Sequence, residues 1–260
     1  MKILMIGDIV GGPGRRAAVQ AATRLRADGS VDFVTANAEN SAAGRGVTAA
    51  LAMELLDAGI DAITLGDHTW DQRDIIGLLE REPRIVRPAN FAPECPGRGF
   101  TTLEGPGGHK VTIINAIGRV FMKPVEDPFR TVRRILEKEQ GLGKIILVDF
   151  HGEATSEKVV FGRYFDGMVS AVVGTHTHIP TADERILPKG TAYITDLGMT
   201  GPRDSAIGRD LAAVTASMLS GMPNKFEVAD KDVAMEGVII EVDEATGRAK
   251  KIRRVRETLP

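Results

Sequence analysis

Lys2-Ile3-Leu4-Met5-Ile6 is an apolar run long enough for a buried strand, and Gly7-Asp8 closes it with a glycine and an acid. The same arrangement returns twice. Val31 to Ala36 reads as a strand ending in Asn37-Ala38-Glu39-Asn40, and Ile60 to Leu65 as one ending in Gly66-Asp67-His68-Thr69-Trp70-Asp71. Helical stretches lie between them. Pro13 suits a first helical position for a helix from Gly14 to Ala27. Thr48 can cap a helix running to about Ala58, with Gly59 as its stop, and Asp71 to Glu80 reads as a third helix. A β-α-β-α-β-α order predicts parallel strands joined by right-handed crossovers.

Farther along, Pro83 to Gly108 is rich in proline and glycine and holds two short strand candidates, Arg84–Arg87 and Gly99–Leu103. Lys110–Ala116, Lys144–Phe150, Val169–Val173 and Thr191–Asp196 read as strands. Asp127-Pro128 caps a helix to about Gln140, and Ser156 to Tyr164 and Leu211 to Leu219 read as helices. Val233–Val242 and Ala249–Val255 form a hairpin pattern around Glu244-Ala245-Thr246-Gly247. The expectation is an α/β sandwich of two packed sheets with helices outside, in a single domain over residues 1–260, with no linker or repeat.

The 260 residues, 43% hydrophobic, suffice for a sizeable core. A net charge of −2 argues against a general nucleic-acid or membrane surface, though not against a local nucleotide site. Cys95 is the sole cysteine, which excludes an internal disulfide and a thiolate metal cluster. The apolar start is too short for a signal-peptide core, and no stretch is long enough to span a bilayer, so a cytoplasmic protein is expected.

Polar clusters follow the strands. They are Asp8, Glu39-Asn40, Asp67-His68, His151 and the pair His176 and His178; only His109 stands without acidic or histidine company. In parallel sheets the carboxyl ends of strands line one edge, so residues far apart in sequence converge there. Asp8, Glu39, Asn40, Asp67, His151, His176 and His178 offer oxygen and imidazole donors without sulfur. That suits manganese, iron, zinc or cobalt better than calcium or magnesium. Seven donors exceed one tetrahedral zinc and suit two metals sharing a carboxylate. An extended chain at His176 and His178 would aim both rings the same way.

These clusters, in this order, resemble the calcineurin-like metallophosphoesterases. The strings Gly7-Asp8-Ile9-Val10-Gly11, Asn37-Ala38-Glu39-Asn40, Gly66-Asp67-His68-Thr69-Trp70-Asp71, His151-Gly152-Glu153-Ala154-Thr155-Ser156-Glu157-Lys158 and Gly174-Thr175-His176-Thr177-His178-Ile179 resemble more closely the YmdB-like 2′,3′-cyclic-nucleotide phosphodiesterases. The resemblance implies a sandwich of two central mixed sheets flanked by helices and a dinuclear site. Asp8, Glu39, Asn40 and His178 would hold one metal. Glu39, Asp67, His151 and His176 would hold the other, with iron or manganese as the expected ions and zinc as the alternative. A metal-bridging hydroxide would attack phosphorus, with His68 as proton donor and not a ligand. A small phosphodiester, a cyclic nucleotide first and RNA ends second, is the implied partner, and a homo-oligomer stays open.

Two positions depart from the pattern. The wider superfamily carries a histidine where Val10 stands, and Asn40 looks like its substitute, as in the subgroup. Asp67 stands where the subgroup has asparagine, which adds negative charge to a metal site. Three rival readings remain: a broad phosphomonoesterase or nuclease of the same fold, a metal-stabilised regulatory protein without catalysis, and a dinucleotide binder. The last rests on Gly12-Pro13-Gly14-Arg15-Arg16-Ala17, which fits G-x-G-x-x-A but starts several residues after the strand. Gly11 to Gly14 could equally approach a phosphate or form a plain turn. Trp70 reads as packing first and base stacking second, and Lys158 and Glu153 as groups that could orient His151 or lie on a solvated helix start.

Overall fold

In the computed structural model, which describes residues 1–259, the opening run becomes β1 (Lys2–Ile6), followed by β2 (Asp8–Ile9), α1 (Gly11–Ala27), β3 (Phe33–Asn37), α2 (Ala49–Asp57), β4 (Ala62–Thr64), α3 (Ile75–Arg81) and β5 (Ile85–Val86). The middle of the chain supplies β6 (Phe100–Glu104), β7 (Lys110–Ile117), α4 (Pro128–Lys138), β8 (Ile145–His151), α5 (Thr155–Tyr164) and β9 (Ala171–Thr175). The rest adds β10 (Arg185–Ile186), β11 (Ala192–Ile194), β12 (Met199–Pro202), α6 (Leu211–Ser220), β13 (Val233–Val242) and β14 (Ala249–Thr258).

Two sheets form, as the sequence pattern predicts. The first has eight strands in the order β2-β12-β13-β1-β3-β4-β5, with β14 paired to β13. Its β1, β3, β4 and β5 run parallel. The second has six, in the order β10-β11-β9-β8-β7-β6, with β7, β8, β9 and β11 parallel and antiparallel strands only at its edges. Alternation along β1 sends Ile3 and Met5 between the sheets, against Val111, Leu147 and Val173 of the second. Leu4 and Ile6 point the other way, under Ala18 and Ala21 of α1 and Leu55 of α2. On the outer face of the second sheet Val148, Phe150 and Val172 pack under Val132 of α4 and Phe161 of α5. Both faces of each sheet are covered, so its central strands read as continuous apolar runs.

Several boundaries differ from the sequence reading, each for a local reason. α1 starts at Gly11, whose N–H donates to the Asn40 carbonyl at 3.0 Å. Gly14 lies so close to β12 that a Cβ there would meet the Thr200 carbonyl oxygen at 2.3 Å. The glycines that resemble a dinucleotide motif therefore serve a helix start and its close packing. α3 starts at Ile75 and not at Asp71, because Asp71 turns back to bond His68. β2, β10 and β12 are too short to show a period and exist through their pairings. The terminal hairpin pairs β13 antiparallel to β1, with Ile3 opposite Ile240, which places the first strand of the chain beside the C-terminal hairpin. Among the described residues no helix is long and apolar enough to cross a membrane.

Candidate functional site

Parallel β1, β3 and β4 end at one edge of the first sheet, and parallel β8 and β9 end at one edge of the second. Asp149, in β8, fastens the two edges together. Its carboxylate accepts from Asn37 Nδ2 at 3.0 Å and from the Thr64 hydroxyl, both in the first sheet, and from Thr175 Oγ1 at 2.7 Å.

Above this tie, Glu39, Asp67, His151 and His176 bring one donor atom each within 4.8 Å of one another. His151 Nε2 lies 2.9 Å from Glu39 Oε1, 3.1 Å from Asp67 Oδ1 and 3.0 Å from His176 Nδ1. The Thr175 hydroxyl gives its proton to Asp149, so it accepts from His151 Nδ1 at 2.9 Å. That commits Nδ1 as a donor and turns Nε2 to the centre, where a metal ion would take the place of its proton. Gly66 leaves room for the group, since a Cβ there would sit 2.3 Å from Glu39 Oε2 and 2.4 Å from His151 Nε2.

Asp8, Asn40 and His178 lie on the flank of this group. Asp8 Oδ1 is 3.8 Å from His151 Nδ1, and Asp8 Oδ2 accepts the His176 N–H at 3.1 Å. Asn40 is tied to the loop after Asp8 by the Gly11 bond, and His178 by its carbonyl to Met199, which pairs with Asp8 in the sheet. The chain at the two histidines is not extended: the strand ends at Thr175, and His176 and His178 have φ of 95° and 66°. Left-handed backbone at non-glycine residues is strained and persists only where its surroundings hold it. Here Asp196 does so, accepting from Thr177 N at 3.2 Å and Thr177 Oγ1 at 2.6 Å. Lys158 is buried and donates to Asp196 Oδ2 at 2.6 Å, so it supports this turn and does not face His151. Glu153 approaches His176, Oε2 to Nε2 at 3.1 Å. His109 precedes the first residue of β7, at the sheet edge opposite His151.

The electrostatics call for a cation. Asp8, Glu39 and Asp149 are buried. Burial, reinforced by the neighbouring carboxylates and opposed by His151, pushes the Asp8 carboxyl up to about 7. Burial likewise raises Asp149 and lowers His178. For His151 burial pulls down, yet Glu39, Asp67 and Asp8 outweigh it and hold the imidazole well above its ordinary value. Burial would raise Asp67, but hydrogen bonds from His151 and His176 bring it well below the carboxylate range. Asp8 Oδ1 and Asn40 Oδ1 are buried without a hydrogen-bond partner, and unpaired buried oxygens are costly. A set of carboxylate, amide and imidazole donors with two oxygens unsatisfied fits metal ions that accept mixed oxygen and nitrogen ligands.

His68 stands beside this group. Its backbone N–H donates to Glu39 Oε2 at 3.0 Å, and its ring Nδ1 lies 2.9 Å from Asp71 Oδ2, which also accepts from Arg45 Nε at 3.0 Å. Its Nε2 is 4.0 Å from Asp67 Oδ2. Asp71, Asp149, Thr175 and Asp196 were not singled out from the sequence. Asp149 did leave a signal, as a lone charge within the apolar strand Ile145-Ile146-Leu147-Val148-Asp149-Phe150.

Two sheets between helices, with oxygen and imidazole donors where their strand ends meet, define a metallophosphoesterase-type fold. The chain belongs to the YmdB-like protein family, whose model matches residues 4–255. It is 44% identical over 255 residues to a Bacillus subtilis protein named 2′,3′-cyclic-nucleotide 2′-phosphodiesterase, covering 98% of this chain and 96% of that one. A crystal structure of a hypothetical protein from Thermus thermophilus matches with a TM-score of 0.93 and 41% identity over 100% of both chains. A Mycoplasma pneumoniae structure described as a novel phosphatase matches with a TM-score of 0.92 and 35% identity, over 99% of this chain and 93% of that one. These relationships make the chain a hydrolytic enzyme of the phosphodiesterase and phosphatase kind.

Proposed function

We propose that this enzyme is a dinuclear-metal phosphodiesterase that opens 2′,3′-cyclic nucleoside monophosphates. The observation that carries the reading is the convergence of Glu39, Asp67, His151 and His176, with the unpartnered oxygens of Asp8 and Asn40 close to it in the fold. Asp8, Glu39, Asn40 and His178 would hold one metal, and Glu39, Asp67, His151 and His176 the other, with Glu39 shared. When bound, such a pair supplies Lewis-acid charge for phosphoryl oxygens and lowers the pKa of a water.

The chain's own residues do the rest. Thr175 and Asp149 hold His151 by Nδ1, which leaves Nε2 as the atom that would bind a metal in exchange for its proton. Asp71 engages His68 at Nδ1, which leaves Nε2 as the atom that holds the proton for the departing ribose oxygen. An alkoxide leaves poorly, so proton donation there is worth ~10²–10⁴ in rate. The cyclic substrate is supported by the name of the Bacillus subtilis relative, which covers nearly the whole chain.

Metal analysis of the purified protein, followed by assays on 2′,3′-cyclic AMP, 3′,5′-cyclic AMP and a phosphomonoester, tests the proposal. Two metals per chain and a preference for the first substrate are expected. One metal, or faster turnover of the monoester, would overturn it.

A further inference from the structure

Resting on the reading that the substrate is a nucleotide phosphodiester, we propose that the cleft beginning at Asp67 is its nucleobase subsite. In it Trp70 and Phe91 provide the face on which the base stacks. The cleft has a volume of about 570 Å³ and a mainly apolar lining. That lies within the range of roughly 300–1,000 Å³ found for small-molecule sites.

Its position fits that use. Asp67 belongs both to the lining and to the donor group, so the cleft opens directly off the place where the phosphoester would sit. Trp70 is two residues after His68. Asp67 and Trp70 line the same cleft, so a nucleotide whose phosphoester meets the donor group can extend its base along that lining to Trp70. The indole packs partly against the core beneath the helices and also borders the cleft. Its ring centroid is 5.7 Å from that of Phe91, at an interplanar angle of 37°. Ile117, Pro124 and Val125 add apolar surface to the lining, while Lys123 and Glu126 place polar groups in it. An apolar slot with an aromatic face and polar groups suits a heterocycle, whose face stacks and whose edge hydrogen-bonds.

The walls are also held in advance. Asn90 is fully buried and donates to the carbonyls of Ile117 at 2.8 Å and Glu126 at 2.9 Å. Its Oδ1 accepts from Ile117 N at 2.9 Å, and its carbonyl accepts from Glu126 N at 3.0 Å. One residue thus ties the segment that carries Phe91 to Ile117 and Glu126, two further residues of the lining, so little ordering is left for a ligand to bring about.

The test compares 2′,3′-cyclic AMP with 1-O-methylribose 2′,3′-cyclic phosphate, which lacks the base. Stacking of one base predicts a kcat/KM ratio of about 5 to 150 in favour of the nucleotide. Trp70→Ala should collapse that ratio. Because Trp70 also packs against the core, Ala92→Phe is the second variant; Ala92 is an exposed lining residue, and the added ring should fill the slot with the same effect. Cys95, which also lines the cleft, gives a readout without turnover: adenosine should slow its labelling by a thiol reagent, and inorganic phosphate should not. Equal turnover of both substrates by the wild type would overturn the subsite and leave the phosphodiesterase reading standing. Turnover of neither would overturn that reading and the subsite with it. An unchanged ratio in both variants, or no protection by adenosine, would also overturn the subsite.

Discussion

His68 and His151 lie one on each side of Asp67, yet the structure prepares them for different work. His151 is buried with Nδ1 committed to Thr175, while His68 is part-exposed with Nδ1 against Asp71. The expected result for His68→Ala is normal metal content with turnover of 2′,3′-cyclic AMP reduced ~10²–10⁴-fold. A diester with a good leaving group should lose far less, and equal loss on both would remove the proton-donor role. Thr175→Val keeps the shape of the side chain and deletes the acceptor for His151. Metal affinity should fall by ~10–100-fold, as is usual when a partner that orients a ligand is lost, and metal titration reads it directly. Asp67 brings a full negative charge to the donor group, where the family resemblance leads one to expect asparagine. Asp67→Asn should therefore hold metal less tightly and turn over faster per bound metal; no change in either would sink the idea. The donor residues were legible because strand-end acids and histidines have few structural uses. The residues that orient them were not. Asp149, Thr175 and Asp196 act through partners 19 to 112 residues away in the chain, and Asp196 through a turn whose shape no periodicity announces.

Between residue and fold stand the strands whose ends carry the site, and glycines decide how closely these approach. Gly174 is the fourth residue of β9, just before Thr175 and His176. A Cβ there would lie 1.8 Å from the Thr195 carbonyl oxygen, a backbone atom that cannot swing aside. Gly174→Ala should push β9 from its neighbour and destabilise by ~1–3 kcal/mol or more, with a loss of metal binding as His176 shifts. Gly77, within α3, faces open space, and Gly77→Ala should stabilise by ~0.5–1 kcal/mol with no effect on metal. Paired chemical denaturation curves check both, and similar effects at the two positions would contradict the argument. The longer strands and helices were readable because apolar alternation and capping are local. Thr48 and Asp127 do cap α2 and α4 as their positions suggest. The pairing of β13 with β1 was not readable, because it joins Ile3 to Ile240 across nearly the whole chain.

For the molecule as a whole, the donor group is also a joint between the two sheets. Asp8, Glu39 and Asp67 come from the first sheet and the loops after its strands, whereas His151 and His176 come from the ends of β8 and β9 in the second. Without a cation, the same joint gathers buried carboxylates whose burial and mutual repulsion raise Asp8 far above its usual range. A metal bound there would neutralise that repulsion and fasten one sheet to the other, and both effects would act on the folded state alone. A ligand present at about 100 times its dissociation constant adds ~2.7 kcal/mol to the folded state. For a chain of this size that corresponds to a shift in Tm of about 5–10 °C. Exhaustive chelation should lower Tm by such an amount, manganese or iron should restore it, and NAD should leave it unchanged, since the glycines at the start of α1 are used in packing. The decisive control is metal content measured on the same samples. If metal is removed and Tm does not move, the buried carboxylates are accommodated by protonation alone, and the site does not act as a joint between the sheets.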